Sequence, residues 1–333
     1  MLRKHSVALT ISAVRDFVPH WALRNSHLMT IAAHLWRREF PQLPAGEERL
    51  FETEPGTRVR AVCHWQKERR ATLVLLHGLE GSSESGYIMG TAEKGWLAGF
   101  NVVRVNQRNC GGSDGLTSTL YHSGMSGDIR AVLLQLIAKA GLRELFPIGF
   151  SMGGNLVLKM AGEFGADVPP EVKAFVAVAP ALNLAACADA LAEPRNFIYQ
   201  RHFVRRLKAR IQNKARLFPD IYKLNGLHKI RSVRQYDDVL TAPHSGFRDA
   251  SDYYARSSAA QFLAQIARPT LILAAEDDPF VPFRSIAAAV HECNRRIELV
   301  STPHGGHCAF ISGSREERFW SEARIVEYCQ RFL

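Results

Sequence analysis

Phe146-Pro147-Ile148-Gly149-Phe150-Ser151-Met152-Gly153-Gly154 decides how the rest of the chain reads. An apolar strand-like run ends on Gly-x-Ser-x-Gly, and a helix pattern follows from Gly154 to about Glu163. A serine on a sharp strand-to-helix turn has its hydroxyl exposed and lies at the positive end of the helix dipole. The flanking glycines spare that turn side chains that would clash. Alone the pattern is weak, since a chain of this length shows it by chance about one time in ten at ordinary Gly and Ser usage. The strand before it and the helix after it are the context that nucleophilic chemistry at Ser151 requires.

Outward from this turn, apolar runs alternate with helical patterns, as in a mostly parallel sheet covered by helices. Thr72–Leu76 is a near-continuous apolar run ending at His77-Gly78, the signature of a strand buried on both faces. Asn101–Val105, Ala174–Val178, Thr270–Ala274 and Ile297–Val300 read as further strands. Residues 48–65 read as a hairpin turning at Pro55-Gly56. Ile129, Val132, Leu133, Leu136 and Ile137 give one apolar helical face after Gly127-Asp128. A closing helix is expected over about Glu316 to Phe332.

A serine nucleophile of this kind takes its acid and its base from later strand ends, in the order Ser, Asp or Glu, His. Asp277-Asp278 follow the strand Thr270–Ala274, and His304 and His307 follow Ile297–Val300. Asp278 is preferred over Asp277 because it opens Asp278-Pro279-Phe280-Val281-Pro282, a turn that can hold a carboxylate steady. His307 is preferred over His304 because Gly305-Gly306 let the loop bring an imidazole over the serine. His304 then reads as a surface or supporting histidine. Two backbone amides should receive the developing oxyanion: Met152, after the nucleophile, and Leu79, in the loop His77-Gly78-Leu79-Glu80-Gly81. His77 itself reads as the residue that holds this loop. His304-x-x-His307 lacks a third ligand and any H-E-x-x-H helix, so no metal is expected, and the chemistry needs no cofactor.

At these residues the chain resembles the YheT-type branch of the α/β-hydrolase superfamily. The matching stretches are Asn25-Ser26-His27-Leu28-Met29-Thr30-Ile31, His77 to Gly81, Tyr121-His122-Ser123-Gly124, Gly149 to Asn155, Tyr236-Asp237-Asp238, Asp252-Tyr253-Tyr254, Asp277 to Phe280 and His304 to His307. They cover nearly the whole chain from about residue 17. The Asp-Tyr-Tyr and Gly-Gly-His pieces belong to the branch rather than to the wider fold. The resemblance implies an α/β-hydrolase fold and an ester-cleaving serine hydrolase with Ser151, Asp278 and His307 as its triad. The branch includes bacterial proteins classed as esterases and is related to eukaryotic medium-chain ester synthases and phospholipid-acting hydrolases. Cys308-Ala309-Phe310 departs from the small residue and Gly-Phe often found there. An acyltransferase on the same site, or a non-catalytic lipid- or partner-binding protein of the same fold, are the rival functions.

The 333 residues suit one core with a large insertion. The expected division is 1–180 and 269–333 for the core and 181–268 for a helical cap above the carboxyl edge of the sheet, where open α/β sheets bind ligands. The net charge of +10 is local, because residues 195–234 hold 12 Lys/Arg and one acid, and the remainder sums to −1. That localisation argues against a general nucleic-acid binder, and the stretch carries no nucleic-acid-reading motif. Val204, Leu207, Ile211, Ala215 and Phe218 form one helical stripe. The basic residues fall largely off it, to be solvated or, as a second reading, to meet an anionic membrane.

Cys63, Cys110, Cys187, Cys293, Cys308 and Cys329 form no C-x-x-C pair, so reduced thiols in a cytoplasmic protein are expected. The N-terminal apolar run Ser6–Val14 follows positive charge but ends in Arg15-Asp16 without a cleavage site, so no secretion signal is expected.

Overall fold

Strands β1 (Glu47–Glu54) and β2 (Thr57–His64) form the antiparallel hairpin that turns at Pro55-Gly56, with Gly56 at φ 74°. The computed structural model describes residues 16–68, 70–291 and 293–333; the N-terminal run Ser6–Val14, expected not to be a secretion signal, lies outside them. Next come β3 (Thr72–Leu76), β4 (Asn101–Val105), β5 (Leu145–Phe150), β6 (Phe175–Val178), β7 (Thr270–Ala275) and β8 (Ile297–Thr302). The sheet order is β1-β2-β4-β3-β5-β6-β7-β8, parallel throughout except where β2 meets β1 and β4. Every residue of β3 to β7 is buried, which is why these strands read as largely apolar runs, with Asn101 and Arg104 of β4 as polar interruptions.

The helices, in chain order, are α1 (Ser26–Leu35), α2 (Gly86–Leu97), α3 (Ser126–Ala140), α4 (Met152–Phe164), α5 (Leu184–Ala192), α6 (Phe197–Leu217), α7 (Val233–Tyr236), α8 (Ala242–His244), α9 (Ala250–Ser257), α10 (Phe283–Val290) and α11 (Trp320–Gln330). The two faces of the sheet build two cores. Val74, Leu76, Val103 and Val105 pack with residues of α3 and α4 on one side. Leu73, Leu75, Val102, Phe146 and Ile148 pack with α2 and α11 on the other. This split follows from the two-residue side-chain period of a strand. The closing helix starts at Trp320 rather than near Glu316, because Phe319 makes a backbone bridge with Ile311.

After β3 the chain forms β4 on one side and then returns to build β5 on the other. The order therefore reverses at β3 and β5, and the crevice at their carboxyl ends is where such sheets bind ligands. Between β6 and β7 the chain is helical and turn-like, from α5 to α9, with a π-helical stretch at Asp237–Thr241. Asn155 ties this segment to α4: its amide donates to the carbonyls of Ser123 and Ser257, both at 2.9 Å, and its side-chain oxygen accepts from Ala259 N at 2.8 Å. Among the described residues no helix is long and apolar enough to cross a membrane.

Helix α6 departs from the sequence expectation. Val204, Leu207 and Ile211 are buried as the stripe requires, each worth roughly 1.5–3 kcal/mol. Lys214, however, is fully buried, and Arg210 is nearly so. Lys214 lies three residues beyond Ile211, on the stripe itself, and its ammonium donates to the carbonyls of Asp114 (3.0 Å) and Thr117. Burial pulls its pKa down to about 8. Two of the basic residues expected in solvent are therefore core-facing, while Arg201 and Arg205 remain exposed.

Candidate active site

Ser151 caps α4 at φ 54° and ψ −118°, in the left-handed half of backbone space. Such a conformation costs about 1–3 kcal/mol and persists only where its surroundings enforce it. Ser151 N donates to Val178 O at 2.9 Å, and its carbonyl accepts from Asn155 N at 3.1 Å. A Cβ on Gly149 would lie 2.2 Å from Gly153 O, and one on Gly153 would lie 2.4 Å from Leu76 O and 2.5 Å from His77 O. Both glycines are therefore obligatory for the turn, on steric grounds stronger than conformational freedom alone.

The loops after β7 and β8 bring Asp278 and His307 to this serine. His307 Nε2 lies 2.8 Å from Ser151 Oγ, and His307 Nδ1 lies 2.8 Å from Asp278 Oδ2. Asp278 is the steadier of the two aspartates. Its Oδ1 accepts from the amides of Phe280 (3.0 Å) and Val281 (2.9 Å), in the turn that the sequence suggested. Asp277 faces away from His307. Its Oδ1 accepts from Gly306 N at 2.9 Å and its Oδ2 lies 3.3 Å from His304 Nδ1. It thus supports the glycine loop through the Gly306 amide. His304 is partly exposed and takes no part in the serine–imidazole contact.

Burial opposes charging of the His307 ring, but the Asp278 carboxylate, and after it the Cys308 sulfur, more than offset it and raise the imidazole above its usual value. Phe280 covers that ring, with centroids 4.1 Å apart. Thr30 of α1, in a stretch to which the sequence gave no role, accepts His307 N at 2.9 Å and donates to Ser26 O at 2.7 Å. Cys308 Sγ sits 3.8 Å from His307 Nε2.

The loop after β3 packs directly on the serine: a Cβ on Gly78 would come 3.1 Å from Ser151 Cβ. His77, wholly buried, shapes that loop from below. Its Nε2 accepts from Gln107 N at 3.1 Å, leaving Nδ1 to donate to Gly78 O at 2.8 Å. Burial lowers its pKa to about 4, so it stays neutral. Around the loop, Gly78 N donates to Tyr87 OH, Glu80 N to Tyr121 OH and Gly81 N to Gly78 O. Leu79 N and Met152 N donate to nothing among the described residues. These are the two amides that the sequence singled out.

A cavity of about 100 Å³ opens from Ser151 under α5 and α6. Leu120, Leu184, Leu191, Leu207, Val233 and Phe280 make it mainly apolar. His122, Tyr253 and Tyr254, from two of the stretches shared with the YheT-type branch, also line it. Burial holds His122 neutral, with a pKa of about 4. A serine hydroxyl, a buried imidazole, a carboxylate beside it, two free amides and an apolar recess thus meet in one place, a set of groups with which acyl transfer from an ester can be run.

Comparison with known proteins identifies the family. The model of the alpha/beta hydrolase fold family matches residues 71–314. The Escherichia coli (strain K12) protein named "Putative esterase YheT" is 32% identical over 330 residues, 97% of this chain and 95% of that one. Phospholipase ABHD3 of Mus musculus is 29% identical over 245 residues, 73% of this chain and 59% of that longer protein. The solved structure of the Pyrococcus furiosus esterase Pf2001 superposes with a TM-score of 0.61 at 16% identity, over 90% of this chain and 96% of that one, a likeness of fold. With the reversed strand order and the strained serine turn already in place, the family match is decisive, and the chain belongs to the alpha/beta hydrolase fold family as an esterase- or lipase-like member.

Proposed function

We propose that the chain hydrolyses carboxylic esters of short- to medium-chain acyl groups or lipids through an acyl-enzyme on Ser151. The unbroken line Ser151 Oγ–His307 Nε2, His307 Nδ1–Asp278 Oδ2, at 2.8 Å in each link, carries this reading. Ser151 Oγ attacks the ester carbonyl as His307 Nε2 takes its proton. Asp278 fixes the ring with Nδ1 protonated and stabilises the imidazolium. The oxyanion of the tetrahedral intermediate lies against the Leu79 and Met152 amides. Collapse of the intermediate expels the alcohol, which takes the proton from His307. Water then attacks the acyl-enzyme, gives its proton to His307, and the proton returns to Ser151 as the acid leaves. The apolar cavity under α5 and α6 supports an acyl chain as the buried part of the substrate.

Hydrolysis rates across p-nitrophenyl esters of rising chain length test this reading, with Ser151→Ala as control. Ser151-dependent hydrolysis that peaks at short to medium chains is expected; equal hydrolysis by Ser151→Ala would refute it. Adding an alcohol and looking for new esters separates hydrolase from acyltransferase.

A second reading concerns where the substrate is met. Arg201 and Arg205 remain exposed on α6, and Phe197 and Ile198 at its start are 59% and 66% exposed. Cationic and apolar side chains together on one helix end favour peripheral contact with an anionic lipid surface.

A further inference from the structure

Glu80 follows Leu79 directly, and nearly every polar group it has is held. It is 6% exposed and sits at φ 57°, a left-handed conformation that a residue with a Cβ rarely adopts unless held there. Its amide donates to Tyr121 OH at 3.1 Å. Its carbonyl accepts from Arg206 at 3.0 Å. Arg210 grips the carboxylate with two parallel bonds, Nε to Oε1 at 2.7 Å and a terminal nitrogen to Oε2 at 3.0 Å. Tyr121 OH donates to Oε1 at 2.7 Å. Arg210 also donates to the carbonyl of Asn109 and thereby joins α6 to the loop after β4.

A buried ion pair of this kind is weak support for stability, because desolvation offsets most of the attraction, whereas its fork-to-fork geometry fixes direction. What it fixes here is the loop beside Ser151. His77 and Gln107 hold that loop from the sheet side, and Arg206, Arg210 and Tyr121 hold it from the other. Leu79 lies between the two sets of anchors with its amide free.

Resting on the proposed ester chemistry, we propose that Glu80 is a positioning residue of the oxyanion hole, and that the cap helix α6 holds it there through Arg210. On this assignment the cap is more than a wall of the substrate cavity. It sets the aim of the Leu79 N–H, so that catalysis is lost when α6 lifts away. Glu80 touches no substrate and acts through the neighbouring amide.

The experiment compares Glu80→Gln, Arg210→Met, Arg210→Lys and the double variant Glu80→Gln with Arg210→Met. Gln presents an amide NH2 to the Arg210 donors and so breaks the fork. We expect kcat on a p-nitrophenyl ester to fall about 10- to 100-fold in Glu80→Gln, less than the roughly 10²- to 10³-fold loss on removing an oxyanion donor outright. KM should stay within about twofold. Affinity for a trifluoromethyl ketone, which forms an oxyanion on Ser151, should fall by the same factor as kcat/KM. Glu80→Gln combined with Arg210→Met should be no worse than the worse single variant, because both break one contact. Arg210→Lys should recover part of the loss.

A raised KM with kcat intact, or unchanged ketone affinity, would overturn the assignment. Hydrogen exchange over residues 78–81 provides a readout that needs no substrate. Faster exchange in Glu80→Gln and Arg210→Met supports the clamp, and unchanged exchange overturns it. Absence of hydrolysis by the unaltered protein would instead refute the proposed function, with the exchange result still deciding the clamp.

Discussion

Replacing Asp278 by asparagine is the change whose outcome the structure constrains most tightly. Asp278 Oδ1 accepts two backbone amides, from Phe280 and Val281, while Oδ2 faces His307 Nδ1. An asparagine must keep its carbonyl oxygen on the two amides, because the flipped rotamer would set its NH2 against two donors. Its NH2 then points at His307 Nδ1 and forces that nitrogen to be the acceptor. The ring proton moves to Nε2, where it faces Ser151 Oγ, and the base can no longer take the serine proton. Loss of the correct tautomer lowers kcat by about 10⁴ in a Ser–His–Asp site, or roughly 5 kcal/mol of barrier. Asp277→Asn keeps an oxygen for Gly306 N and leaves the His307–Asp278 contact intact, so its loss should stay near tenfold or below. Steady-state hydrolysis of a p-nitrophenyl ester by both variants, with thermal melts to show that each is folded, makes the comparison. A larger loss in folded Asp277→Asn than in Asp278→Asn would refute the reasoning.

Because Asp278 raises the His307 pKa and the neutral ring is the active form, kcat/KM should fall as pH drops through a value above 6.5, and residual activity of Asp278→Asn should show its acid limb at lower pH; a wild-type limb below 6 would count against this. Gly153→Ala sets a methyl group 2.4 Å from Leu76 O, so it should destabilise the fold by about 1–3 kcal/mol in denaturant titration and abolish activity, whereas an unchanged midpoint would contradict the strand–turn–helix packing. Thr30→Val leaves His307 N without its acceptor and should cost about 1–3 kcal/mol, read as a drop in kcat or in melting temperature. Charge reversal at Arg201 and Arg205 should abolish flotation with anionic liposomes and leave hydrolysis of a soluble ester intact; flotation unchanged by the reversal would remove the membrane reading.

The parallel strands were legible because burial on both faces leaves a plain apolar record, as in Thr72–Leu76. The turn at Ser151 was legible because its sterics admit only glycine at 149 and 153. Asp278 and His307 could be named from their places at strand ends, and their side chains do meet Ser151. What stayed hidden depends on contacts between distant segments. Thr30 reaches His307 across 277 residues of chain, and Arg210 reaches Glu80 across 130, with no local periodicity to announce either. The burial of Lys214 was hidden for a different reason. Its position three residues after Ile211 marks the buried face, but a charge there reads as solvated unless carbonyls wait beneath it, and those belong to the loop at Asp114 and Thr117.

The most direct test is to trap the covalent intermediate. Rapid acid quench of the protein with a p-nitrophenyl ester, followed by peptide mass spectrometry, should place one acyl group on the peptide containing Ser151, and Ser151→Ala should carry none. An acyl group on another residue, or turnover with Ser151 never modified while Ser151→Ala keeps full activity, would contradict the account.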